Sequence, residues 1–205
     1  MHSFYSHQHQ KYHYAGYRIF VAEFASTTNE ILLSEHLLRQ ARSSDERAYL
    51  YGHLLDEIRG TIYRQTMFAE FELELHRKAE AGIPLSADEL TVRYYELNKL
   101  YYGDNVKADP LIGLEWARIP HFYYDFYVYK YATGMSAALV LARNLLSGDE
   151  KKREAYLNFL RAGDSKDVLD IMKDAGVDLS TPAPVAAALD YFGEVVGKLE
   201  RELGL

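Results

Sequence analysis

Two carboxylates and two hydroxyl side chains recur at helical spacing near the start of this chain. They stand at positions i, i+3, i+4 and i+7 and are Glu23, Ser26, Thr27 and Glu30. On a helix they share one face, opposite an apolar flank. A carboxylate on such a face suits a metal ligand whose neighbours support it through hydrogen bonds. The same spacing describes a solvated face with two unrelated glutamates, and spacing alone favours that interpretation because helical glutamates are mostly exposed.

Histidines are concentrated at the N-terminal end. They are His2, His7, His9 and His13. Only His9 and His13 have the spacing of four that two ligands on one helix need, and Lys11 and Gly16 nearby favour a loop. The segment is therefore more typical of a surface than of a metal site. No histidine in the chain is followed by glutamate, so the zinc-binding pattern His-Glu-x-x-His is absent, and so is any Glu-x-x-His pair of a di-iron bundle.

The densest candidate segment is aromatic and runs from Pro120 to Gly134. If it is helical, His121, Tyr124 and Tyr131 fall near one face, with Tyr127 adjacent to both tyrosines. A histidine and two or three tyrosine hydroxyls that converge on a cleft can donate hydrogen bonds to an oxyanion during peptide hydrolysis. A packed aromatic helix whose hydroxyls reach the surface explains the same residues, and without further information packing is favoured.

One further segment contains Arg64 and Gln65 ahead of a run of apolar residues. These two side chains are candidates for contacting a substrate or bracing another helix. Arg64 and Phe68 are four residues apart and can stack on one helix face, so local packing is the simpler interpretation.

The composition excludes several classes of protein. The 205 residues include no cysteine, so disulfides, thiol nucleophiles and Cys-based zinc sites are ruled out, and a reducing, cytosolic setting is mildly favoured. The net charge of −7 argues against a nucleic-acid partner. No apolar run approaches the ~18 residues of a membrane span, and the His- and Tyr-rich start leads us to expect no secretory signal. Glycine-rich phosphate loops and nucleophile elbows are also absent.

Helical periodicity extends through the chain, and the sequence predicts an all-α, multi-helix unit over residues 1–205. Ser43–Glu46 and Ser86–Glu89 have the form of capping boxes. Glycines and prolines mark most of the remaining ends, and Thr181 precedes a proline in the pattern of a helix start. The predicted helices span residues 17–42, 43–79, 86–102, 121–147, 149–162, 165–175 and 181–202.

Several segments, in order, resemble oligoendopeptidase F, a family in the thimet-oligopeptidase-like group of zinc peptidases. The segments are Met1–Ser6 (MHSFYS), Phe20–Ser26 (FVAEFAS), Arg64–Glu70 (RQTMFAE), Pro120–Gly134 (PHFYYDFYVYKYATG), Tyr156–Gly163 (YLNFLRAG) and Ala175–Asp178 (AGVD). The resemblance covers essentially the whole chain. It implies that the chain is the C-terminal part of a larger helical zinc-peptidase catalytic domain.

The resemblance also implies roles for individual residues. In the family the His-Glu-x-x-His helix is followed directly by a segment like Met1–Ser3, so the two histidine ligands and the catalytic glutamate would precede Met1. Glu23 stands where the family has its third zinc ligand. His121 and Tyr131, with Tyr124 or Tyr127, stand where the family places residues that hold substrate and stabilise the tetrahedral intermediate. The implied reaction is attack of zinc-bound water on a peptide bond of a short peptide.

The missing motif leads to a further expectation: this chain alone has an incomplete zinc site and no peptidase activity. The resemblance implies that the substrates are short peptides. It also implies that the protein partner is either the N-terminal part or a second copy of the chain. The alternative hypothesis is a non-catalytic helical module that binds peptides or proteins through its aromatic cleft. The strongly apolar stretches at residues 19–33 and 121–145 favour the enzyme-derived interpretation.

Overall fold

The computed structural model describes residues 1–205, and every regular element in it is helical. The α-helices are α1 (His2–His9), α2 (Ile19–Gln40), α3 (Ser44–Ile58), α4 (Arg64–Glu80), α5 (Ala87–Tyr102), α6 (Tyr129–Leu146), α7 (Glu150–Arg161), α8 (Val168–Asp174) and α9 (Ala183–Leu203). A π-helical turn, Arg59–Tyr63, joins α3 to α4. Three 3-10 segments, Tyr12–Tyr14, Pro110–Arg118 and Pro120–Tyr123, complete the chain. The expected all-α fold class is confirmed.

The chain divides into two compact units. The first comprises Met1–Ile58 and Thr133–Leu205, and the second comprises Arg59–Ala132. The prediction that residues 1–205 form a single domain stays a prediction. No helix is both long and apolar enough to cross a bilayer.

The core of the first unit lies among α2, α6, α7 and α8. Its buried side chains are Val21, Phe24, Ala25, Ala137, Leu141, Tyr156, Phe159, Leu160, Ile171, Met172, Ala175 and Val177. Helix α1 packs on α7, and α3 packs on both α2 and α9. Polar contacts join α9 to α3 and to α2: the Arg47 guanidinium donates to both carboxylate oxygens of Glu202 at 2.8 and 2.9 Å, and the Tyr191 hydroxyl donates to Glu35 at 2.6 Å. This core holds α2, which carries Glu23.

The core of the second unit is built from α4, α5 and the chain that follows them. Its buried residues are Met67, Phe68, Phe71, Tyr94, Leu97, Ile119 and Val128. Glu115, in the 3-10 segment Pro110–Arg118, is also buried, and its carboxylate accepts hydrogen bonds from Arg64 at 2.7 Å and from the Tyr94 hydroxyl at 2.8 Å. Arg118 is a further donor to it. This network ties the irregular segment to α4 and α5.

The capping boxes are the most accurate of the sequence predictions. The Ser43 hydroxyl accepts from the Glu46 amide at 3.1 Å, and Ser86 accepts from the Glu89 amide at 3.3 Å. The predicted Thr181 cap is wrong, because that hydroxyl donates to the Asp178 carbonyl instead.

The largest error is the predicted helix over residues 121–147. A 3-10 turn ends at Tyr123, and α6 begins only at Tyr129. The intervening residues Asp125 and Phe126 have φ angles of 49° and 57°, which a right-handed helix cannot contain. The amide of Phe126 donates to the Glu72 carboxylate at 2.9 Å rather than to a helical carbonyl. The predicted common helical face of His121, Tyr124 and Tyr131 is therefore wrong.

Candidate active site

Glu23 lies in the second turn of α2, and its side chain is half-buried. The helix is anchored by Phe24 and Ile31, which are fully enclosed in the core as the apolar pattern predicted. Ser26 and Glu30 on the acidic face are exposed, so this face is not a buried acidic stripe. The Ser26 hydroxyl donates to the backbone carbonyl of Glu23 at 3.1 Å and leaves the carboxylate of Glu23 to other partners.

The N-terminal histidines do not form a metal cluster. Helix α1 ends at His9, and His13 lies in a separate 3-10 turn, so the two do not share a helical face. The Nδ1 atoms of His7 and His9 donate to carbonyls of their own helix, each at 2.8 Å. His2 is buried and stacks on Tyr17 with ring centroids 3.8 Å apart. Burial, with the positive N-terminus nearby, lowers the pKa of His2 to about 4.

The structure brings His121, Tyr124, Tyr127 and Tyr131 together, although not on a helix. We call these four residues the ring cluster. The His121 ring lies 5.7 Å from Tyr124, 5.7 Å from Tyr127 and 5.8 Å from Tyr131, measured between centroids. Tyr127 stacks on the imidazole, whereas the other two tyrosines present edges to it. His121 and Tyr127 therefore each contact the other three rings of the cluster.

A hydrogen bond links His121 Nε2 to the Tyr131 hydroxyl at 3.2 Å. If Nε2 carries the proton, it donates to the phenol oxygen and leaves the phenol hydrogen free to donate elsewhere. A hydroxyl polarised in this way is a suitable donor to an oxyanion. His121, Tyr127 and Tyr131 are half-buried, and Tyr124 is 58% exposed, so the cluster is open to a ligand.

Two buried core residues of the second unit position the ring cluster. Ile119 precedes His121 and Val128 lies between Tyr127 and Tyr131, and both are buried in the same core as residues of α4 and α5. Pro120 begins the 3-10 turn that carries His121. Lys130 places its ammonium 4.8 Å from the Tyr127 ring centroid, in a cation–π contact.

Glu72 also belongs to this region, although the sequence did not predict it as a candidate residue. Its side chain is buried, and its Oε1 atom accepts the Phe126 amide next to Tyr127. Burial raises the pKa of Glu72, and the negative charge of Asp125 adds to the effect, whereas the Phe126 amide and His76 oppose it. A glutamate within a helix between Phe71 and Leu73 gives no local signal of such a role.

For Arg64, the structure agrees with local packing on the same helix, since its guanidinium lies 4.8 Å from the Phe68 ring centroid.

A zinc ion has about three protein ligands and a water in a catalytic site. No group of three or more His, Asp or Glu side chains in the chain is placed to hold a metal ion, and cysteine is absent. The residues of this chain therefore do not fit a complete zinc site by themselves.

Comparisons with known proteins identify the family to which the chain belongs. Residues 1–191 match the profile of Peptidase family M3. This chain belongs to peptidase family M3. It is 50% identical over 203 residues to oligopeptidase PepF of Bacillus subtilis (strain 168), a match that covers 99% of the chain and 30% of the relative. Oligoendopeptidase F, plasmid, of Lactococcus lactis subsp. cremoris is 45% identical over 201 residues, with coverage of 98% and 33%.

The fold of this chain also matches part of a solved structure. The crystal structure of oligoendopeptidase-F from Enterococcus faecium matches with a TM-score of 0.89 and 43% identity, covering 99% of this chain and 37% of that one. The resemblance to oligoendopeptidase F is confirmed. The chain spans about a third of the length of the curated relatives it matches.

Proposed function

We propose that this family M3 chain is part of a zinc-dependent oligopeptidase that hydrolyses short peptides in the cytoplasm. The observation that carries the proposal is the match over nearly the whole chain to proteins named as oligopeptidases, combined with the ring cluster in the segment Pro120–Gly134. In this proposal the chain alone is inactive, since it presents one candidate zinc ligand, Glu23, and no complete site.

The two groups of residues lie in different units, and each is assigned a role by itself. Glu23 is the proposed metal ligand, supported by its half-buried position on a helix that is fixed in the core. The ring cluster is the proposed contact for the substrate. Tyr131 donates its hydroxyl hydrogen to the developing oxyanion, and His121 donates Nε2–H to the Tyr131 oxygen. The aromatic faces of Tyr124 and Tyr127 pack against the peptide.

The test is cleavage of a quenched fluorescent peptide in the presence of zinc. The chain is assayed alone, and then at equimolar ratio with the portion of the Bacillus subtilis relative outside the matched region. We expect no cleavage by the chain alone and chelator-sensitive cleavage by the mixture. Cleavage by the chain alone would contradict its proposed inactivity. Absence of cleavage in both formats would contradict the peptidase assignment.

Variants of the chain in the active mixture test the individual roles. Tyr131→Phe keeps the ring and removes the hydroxyl, so kcat should fall by roughly 10²–10³, the usual effect of removing one oxyanion donor. Tyr123→Phe is the matched control, because Tyr123 is 78% exposed and lies outside the ring cluster. Glu23→Gln should lower the zinc content of the complex, whereas Glu30→Gln, an exposed position on the same helix, should leave it unchanged.

A further inference from the structure

The loop that connects Tyr124 to Tyr127 has an unusual backbone. Asp125 and Phe126 are consecutive non-glycine residues with φ angles of 49° and 57°, in the left-handed region. A single bulky residue in this region is already uncommon. Two in succession persist only where surrounding contacts hold them, and such positions concentrate at functional sites. The loop that places two rings of the cluster is therefore kept in this form by contacts outside itself.

Those contacts come from one face of α4. Glu72 is only 2% exposed, and its carboxylate accepts the Phe126 amide at 2.9 Å. One turn further along the same helix, the His76 ring lies 4.2 Å from the Phe126 ring between centroids, at an interplanar angle of 34°. The loop is thus held at its backbone by a carboxylate and at its side chain by an imidazole.

Burying a carboxylate has a large desolvation cost, and here the carboxylate accepts a single backbone amide. Its neighbours on α4, Met67, Phe68 and Phe71, are ordinary core residues. An apolar residue at position 72 would suit that core but would leave the Phe126 amide without its acceptor. The use of glutamate here is explained if the left-handed loop itself is what the protein requires.

We propose that Glu72 is a positioning residue that holds the 124–127 loop so that Tyr124 and Tyr127 stay packed against His121. The inference rests on the proposed function for its catalytic consequence, but its structural content can be measured on this chain alone. The Tyr131–His121 hydrogen bond involves no residue of the loop and should not depend on Glu72.

The experiment compares two variants. Glu72→Leu removes the acceptor and fills the site with an apolar side chain of similar size, whereas Glu72→Gln replaces the carboxylate oxygen with an amide oxygen that can still accept. Glu74→Gln is the matched control, since Glu74 lies on the same helix and binds Arg93 instead of the loop. Helical circular dichroism first establishes that each variant is folded. A fourth variant, Glu72→Leu with Phe126→Gly, relieves the left-handed strain at one position.

The first readout is NMR of the chain alone. In Glu72→Leu we expect hydrogen-exchange protection of the Phe126 amide to fall at least tenfold, and the cross-peaks between the His121 and Tyr127 rings to disappear. Glu72→Gln and Glu74→Gln should retain both signals. Unchanged protection and cross-peaks in folded Glu72→Leu would overturn the proposal.

The second readout is peptide cleavage in the complemented mixture. Glu72→Leu should lower kcat at least tenfold with a smaller change in KM, and Glu72→Gln should recover most of the loss. A loosened loop with unchanged kcat would overturn the positioning role. If the wild-type mixture is inactive, the proposed function fails and the catalytic consequence fails with it, while the NMR result still decides whether Glu72 holds the loop.

Discussion

Gly163 gives the sharpest prediction about stability. It follows α7 with a φ of 55°, and a Cβ atom added there would lie 2.1 Å from the Tyr14 carbonyl oxygen and 2.8 Å from Ser6 Oγ. Neither neighbour is free to move. The Tyr14 carbonyl accepts the Asp164 amide at 2.9 Å, and the Ser6 hydroxyl donates to the Ala15 carbonyl. Gly163→Ala should therefore force apart the contact between α7 and the N-terminal segment.

The size of the effect follows from two costs. A left-handed alanine costs about 1–2 kcal/mol. Moving the Tyr14 carbonyl and the Ser6 hydroxyl away from the added atom costs about 1–3 kcal/mol more, the usual cost of overpacking. The control is Gly148→Ala, where φ is 73° but nothing lies within 4 Å of the added atom, so only the first cost applies. The difference between the variants should be about 2 kcal/mol, or roughly 4–8 °C in Tm for a chain of this size.

The assay is urea denaturation of both variants and the wild type, followed by helical circular dichroism. Gly163→Ala should show the lower midpoint. Equal free energies of unfolding for the two variants would refute the steric argument, because the left-handed backbone would then account for the whole loss.

Further predictions concern the buried titratable groups. Glu115→Ala leaves the Arg64 guanidinium and the Tyr94 hydroxyl without their acceptor. The free energy of unfolding should therefore fall by about 3–5 kcal/mol in urea titrations. Tyr94→Phe leaves one carboxylate oxygen short of a donor and should cost about 1–3 kcal/mol in the same titrations. The pKa of His2 is lowered from 6.5 to about 4, so the folded chain resists a proton that the unfolded chain accepts. Stability should therefore fall between those two pH values on acidification, and an NMR titration of the His2 ring should give a midpoint near the lower one.

The helices with chemical boundary signals were predictable because those signals act within a few residues. Ser43 and Ser86 cap the helix that starts beside them, and no distant contact is needed for that. Asp109-Pro110 carries the same kind of local signal, since the Asp109 carboxylate accepts the Leu111 amide and Pro110 begins a 3-10 segment. An Asp before a first-turn proline is typical of a helix start, although no helix is predicted from the sequence between residues 103 and 120.

The segment between His121 and Tyr131 could not be predicted in the same way. Its aromatic periodicity fits a helix, and it contains no glycine that would mark the left-handed turn. The decisive contact comes from Glu72, which is 54 residues away along the chain from the amide it accepts. The four rings of the cluster do lie together, but not on the helix that the sequence predicts, and their role in a site stays a prediction. The π-helical turn at Arg59–Tyr63 also lacks a local signal.

The two buried glutamates of the second unit should respond to pH in opposite directions. For Glu115, burial alone would raise the pKa, but the donors Tyr94 and Arg64 outweigh it and hold the pKa below its usual range. Its stabilising contribution is present above the unfolded carboxyl pKa and is lost as the pH falls through the folded value. For Glu72, burial dominates and the pKa is raised, so the ionised form reduces stability once the pH rises through the folded value.

Glutamine substitutions at neutral pH distinguish a glutamate whose charge is stabilised by donors from one whose charge is opposed by burial. Glu115→Gln should lower the free energy of unfolding, because a charge with matched donors is lost. Glu72→Gln should leave it unchanged or raise it, because an unfavourably buried charge is removed while an acceptor for Phe126 remains. Urea titrations of the two variants measure this directly. A loss of stability in Glu72→Gln as large as that in Glu115→Gln would show that Glu72 is held for the stability of the fold. The opposite result would mean that the negative charge at position 72 reduces stability, and that an uncharged oxygen is enough to accept the Phe126 amide.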